Sequence, residues 1–152
     1  MLTLSQHIKL FRDFATAHNQ IKTFNWGALS ELTNSEHGNA GERLKYPIMF
    51  MDIEAVNVQG GNLNRSYNIY IIDRLAKAND NKETVLNNTQ LICFDVLSYF
   101  KNTPPNAKVV MEQSSQLTDV SNYTDDSLAG WTMTITLKES FGYNTCDIPF
   151  IN

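Results

Sequence analysis

Asp52 and Glu54 stand two positions apart in the apolar stretch IMFMDIEAV. On an extended strand that spacing points both carboxylates to one face, the arrangement that general acid–base work requires. Glycoside hydrolysis would also want sugar-stacking aromatics beside the pair, and two acids at this spacing are common on solvated sheet faces. The histidines His7, His18 and His37 fall on an early helical face, at the end of that helix and in a polar loop. None has a Cys, His or Asp at metal-ligand spacing, so packing or surface roles are expected. Gly38-Asn39-Ala40-Gly41 and Gly60-Gly61-Asn62 share only glycine with phosphate loops. Neither is followed by a Lys-Ser/Thr step or a helix start, and turn chemistry accounts for both. Asp119, Asp125 and Asp126 lack the alternate spacing and central glycine of a calcium loop. Cys93 and Cys146 belong to no CxxC or Cys/His cluster and read as buried thiols. The expectation is a chain that is not an enzyme, with no catalytic residues, no cofactor and no metal site.

The elements that carry these residues can be read from periodicity. Leu4, Ile8, Phe11, Ala15 and His18 recur at spacings of four and three, one face of a helix that Thr3 or Ser5 can cap. Ile21 to Trp26 alternates as a short strand that Gly27 breaks, and Thr33 to Lys45 is a loop. Tyr46 to Gln59 and Ser66 to Leu75 read as two strands of an antiparallel hairpin turned at Gly60, Gly61 and Asn62. Val85, Leu86, Thr89, Ile92, Cys93, Val96, Leu97 and Phe100 predict a second helix, stopped by Pro104 and Pro105. Ala107 to Glu112 is a strand, and Ser114 to Ser127 is polar and acidic without a period. From Gly130 to Lys138, Trp131, Met133, Ile135 and Leu137 alternate with threonines, so Trp131 is expected in the core. The fold class is α+β: an antiparallel β-sheet of four or five strands with two main helices packed on one face.

Composition bounds the rest. A chain of 152 residues, 42% hydrophobic, reads as a single domain over 1–152 that can bury its own core. The 12 Lys and Arg are scattered against 16 Asp and Glu, a formal charge of −4, so no basic stripe is available for gripping phosphates. Apolar runs such as Tyr46 to Met51 are far too short to cross a bilayer. MLTLSQHIKLFRDF has none of the parts of a signal peptide, and a cytosol-like site of synthesis is expected.

The C-terminal half, with a helix, a strand, an acidic loop, then Asp126-Ser127-Leu128-Ala129-Gly130-Trp131 and an alternating strand, resembles neck and tail proteins of tailed bacteriophages. Cys146-Asp147-Ile148-Pro149 at the end, Tyr46-Pro47 opening the first long strand and Phe24-Asn25-Trp26-Gly27 before it extend the likeness over nearly the whole chain. It is to tail-terminator or head–tail joining proteins, those of crAss-like phages included. The resemblance implies a non-enzymatic virion protein, assembled in the host cytoplasm, that forms a homo-oligomeric ring of about six or twelve copies. Its implied neighbours are portal, connector or tail-tube proteins, and DNA transits the ring without specific binding and without a membrane. Thr33 to Lys45 and Ser114 to Asp126 are the segments it implies reach neighbouring subunits. Two other readings remain open from the sequence. One is a small non-enzymatic protein-binding module. The other is an enzyme whose site forms between subunits from Asp52, Glu54 and His37.

Overall fold

The computed structural model describes residues 1–28, 30, 44–76, 80–102, 108–114, 116–121, 128–143 and 148–149. The loop read over Thr33 to Lys45, with His37 and the Gly38–Gly41 motif, lies almost wholly outside them. So do Pro104, Pro105, Asp125, Asp126 and Cys146.

Helix α1 (Leu4–Ala17) starts at a capping box: the Thr3 hydroxyl accepts from the Gln6 N–H while the Gln6 side chain accepts from the Thr3 N–H. Its buried face is His7, Ile8, Phe11, Phe14 and Ala15, so Leu4 at the first turn is exposed and His7 has turned inward. Helix α2 (Lys82–Asn102) buries Val85, Thr89, Ile92, Cys93, Val96 and Phe100, with Leu86 and Leu97 half-buried beside them. The eight residues whose spacing predicts this helix therefore all lie on its inner side.

Six strands form one sheet: β1 (Thr23–Trp26), β2 (Ile48–Gln59), β3 (Asn62–Arg74), β4 (Val110–Ser114), β5 (Thr118–Ser121) and β6 (Leu128–Ser140). The order is β1-β2-β3-β6-β4, and β5 pairs with β6 on the same side as β4. Sequence patterning falls short here twice. Thr118–Ser121 has one apolar residue in four and no period, yet it is a strand because β6 offers it an edge opposite Ala129 to Thr132. And β1 runs parallel to β2, so the sheet is antiparallel everywhere except at this one edge.

Hairpin β2–β3 turns on Gly60 and Gly61, at φ 57° and 74°. Two successive positive angles suit the right-handed strand twist, and glycine takes them without strain. The tight turn lets Asn62 pair directly with Gln59, so β3 begins four residues before its apolar alternation does.

Odd-numbered residues Met49, Met51, Tyr67, Ile69, Ile71, Met133, Ile135 and Leu137 share one buried cluster with Ile8, Phe11 and Phe14 of α1 and Ile92, Cys93, Val96 and Phe100 of α2. Phe11 is its hinge point, edge-on to Tyr67 at 5.4 Å and stacked on Phe100 at 4.6 Å. The opposite sheet face has a smaller cluster of Ile48, Phe50, Ile72 and Leu128, flanked by Leu44, Tyr46 and Tyr70. Trp131 is only half-buried rather than in the core, because it lines an open groove with Lys82, Glu83, Asn87 and Gln90; its indole N–H donates to the Leu86 carbonyl at 2.8 Å and ties β6 to α2.

Gly130 sits between Ile72 of β3 and Val120 of β5. A Cβ built there would lie 1.9 Å from the Ile71 carbonyl oxygen and 2.9 Å from the Ile72 Cα, both backbone atoms that cannot swing aside. Gly130→Ala should therefore cost roughly 3 kcal/mol or more, at the upper end of overpacking penalties. Chemical denaturation measures it; a variant as stable as the parent would mean that β3 and β6 are not this close.

Candidate functional site

Among the described residues, the sequence's chemical candidates stand apart from one another. Asp52 pairs with Asn68 in the β2–β3 ladder, and the register shifts between Ile53 and Ala55. Glu54 falls in that bulge, so the strict alternation that would aim both carboxylates one way is broken. His18 caps α1 and lies 3.0 Å from Asp95 Oδ2 on α2, a pair of a half-buried ring and an exposed carboxylate that joins the helices. Cys93 is fully buried, and burial pushes its thiol up to about 12, which keeps it protonated and unreactive. Among the described residues no three His, Cys, Asp or Glu side chains are grouped to hold a metal ion. No described helix is long and apolar enough to cross a membrane.

The structure does assemble one polar group that spacing does not reveal. His7, from α1, is fully buried against β3 and β6. Its Nδ1 is 2.9 Å from the Tyr67 hydroxyl, and its Nε2 is 3.3 Å from Glu139 Oε1, close enough for attraction but not aligned as a hydrogen bond. Arg65 Nη1 donates to the same Oε1 at 3.2 Å and to the Leu2 carbonyl at 2.7 Å, while the Leu2 N–H donates to Glu139 Oε2 at 2.8 Å. The result is a clasp: one buried carboxylate and one guanidinium hold the backbone of Leu2 and so fix where α1 begins. Residues 7, 65, 67 and 139 come from three elements, so only the tertiary register brings them together. The signal in the sequence is the polar pair Arg65 and Glu139 at odd, core-facing positions of otherwise alternating strands.

Burial and the neighbouring Arg65 charge hold the His7 ring below its ordinary titration range, against the opposing pull of Glu139. Burial likewise raises the Tyr67 phenol, so it stays a hydroxyl donor. A neutral His7 with Nδ1 accepting from Tyr67 keeps its proton on Nε2, toward Glu139. A groove of about 540 Å³ is lined by Lys82, Glu83, Leu86, Asn87, Gln90 and Trp131, away from the clasp. With His7 and Glu139 almost wholly buried, the part of the cluster that the geometry accounts for is its hold on the start of α1.

The surface feature that distinguishes the molecule is its pair of sheet edges. Among the described residues β1 pairs only with β2, and β4 and β5 pair only with β6. Among the described residues, β2 beyond Met51 also has no partner strand on its outer side, and Val56 and Val58 there are 57% and 51% exposed. Val110 of β4 is similarly exposed. Unpaired edge backbone of this kind accepts another strand, and apolar side chains on it favour the addition. Comparison with protein-family models gives no match, and comparison with curated proteins gives none either.

The His7 environment sets a pH dependence. The unfolded chain binds a proton near the ordinary value of 6.5 while the folded chain resists it. Stability is thus fully present above that value and falls as the pH drops through it toward the depressed folded value. Denaturation midpoints should decline between about pH 7.5 and 5.5, and His7→Gln, which cannot titrate, should flatten the decline. Equal slopes for parent and variant would remove His7 from the clasp.

Proposed function

We propose that this protein is a ring-forming virion structural subunit at the head–tail junction or tail end of a tailed phage, a terminator or connector through which DNA passes. The observation that carries the reading is the single sheet whose outermost strands, among the described residues, have a partner on one side only: β1 at one edge and β4 and β5 at the other. A subunit with two different open edges can be joined head to tail, and head-to-tail contacts that close make rings. Six or twelve copies is the number that the sequence resemblance implies. The formal charge of −4 and scattered basic residues suit a passage that must not hold DNA, since each neutralised phosphate would add affinity. Portal, connector or tail-tube proteins would be its neighbours, in a virion assembled in the host cytoplasm.

The alternative, a small non-enzymatic binding module, is favoured by a different surface. Leu91 and Phe94 are 51% and 48% exposed on the outer side of α2, opposite its buried face. Mass separates the two readings. Light scattering on the purified 17.3 kDa chain, followed by negative-stain imaging, should give a closed ring of about six or twelve copies. A strict monomer at every concentration, with no association beside phage structural proteins, would overturn the ring and favour the module.

A further inference from the structure

We infer that the ring contact, on the reading just proposed, is a continuation of the sheet in which β5 of one copy pairs antiparallel with β1 of the next. The ladders define a single row across the molecule: Phe24 is opposite Met49, Met49 opposite Ile71, Ile71 opposite Trp131, and Trp131 opposite Asp119. The adjacent row runs Asn25, Phe50, Tyr70, Thr132, Thr118 in the same way. β1 and β5 are therefore level with each other at opposite edges. Their directions are opposed: β1 follows β2, β3 reverses it, β6 reverses again, and β5 reverses once more.

Both facts bear on a second copy specifically. A neighbour related by rotation about an axis running with the strands keeps its height, so its β1 arrives level with this β5, antiparallel to it. Direct partners in a ladder share a face, so Asp119 would come opposite Phe24, and Thr118 opposite Asn25, of the adjoining copy. The Arg12 guanidinium stands over the Phe24 ring, 5.7 Å from its centroid, so the β1 edge presents a cation. Pairing of β1 with another β1 would instead bring two Arg12 side chains together, which disfavours a two-fold dimer through this edge.

Cross-linking tests the junction. Within one copy the residues of the second row span four strand spacings, roughly 19 Å, far beyond disulfide reach. In a Cys146→Ser background, the pair Asn25→Cys and Thr118→Cys should form, on mild oxidation, a ladder of covalent multimers ending at the ring size, while either single variant should not. Should the variant chains keep the ring mass yet give no ladder, the β1–β5 junction is overturned and the ring reading survives. Monomeric mass with no ladder would overturn both.

Discussion

The ladder between β3 and β6 keeps thirteen residue pairs in register, from Asn62 opposite Ser140 to Arg74 opposite Leu128. It is shifted nowhere along its length, whereas the β2–β3 and β4–β6 ladders both carry a bulge. Its tightest point is Gly130, where only a missing Cβ lets β6 lie against the Ile71 carbonyl. A one-residue slip would exchange every inward and outward side chain of β6 and put a side chain into that contact. What depends on this register is nearly everything else: the odd-numbered face that receives Phe11 and Phe100, the Trp131 bond to Leu86, and the meeting of Arg65, Tyr67 and Glu139 around His7.

The clasp at His7 turns that register into a fixed position for α1. Burying Glu139 and Arg65 is costly unless their hydrogen bonds are made, and part of the set is completed by the backbone of Leu2. The beginning of the chain is thereby held to the far end of β6. Arg12, one and a half turns further along α1 than His7, is in consequence set over Phe24 at the sheet edge. The proposed contact between copies thus rests on the same buried network that holds the helix.

The α+β class was legible in the sequence because both helices and much of β3 and β6 bury one face, and burial leaves a period. Val85 to Phe100 and Trp131 to Leu137 are the clearest instances. Of the short strands, β1 and β4 were legible from Ile21 to Trp26 and Ala107 to Glu112, whereas β5 left no such trace. Thr118–Ser121 is extended through its neighbour's backbone, which any residues can satisfy, and the parallel sense of β1 depends on how the chain returns through 31–43, outside the described residues. The polar clasp was hidden for a related reason. His7, Arg65 and Glu139 are polar residues on inward-facing positions, and no local spacing links them; only the pairing of β3 with β6 does. Asp52 and Glu54 show the reverse, a suggestive spacing undone by a bulge that periodicity does not foretell.

Hydrogen exchange of the edge amides, compared above and below the concentration at which the protein assembles, tests most directly the claim that its sheet continues from copy to copy. Thr23–Trp26 and Thr118–Ser121 should both gain protection on assembly, together and to a similar extent, because each would lend hydrogen bonds to the other. Assembly that leaves both segments exchanging as they do in the dilute protein would contradict the account.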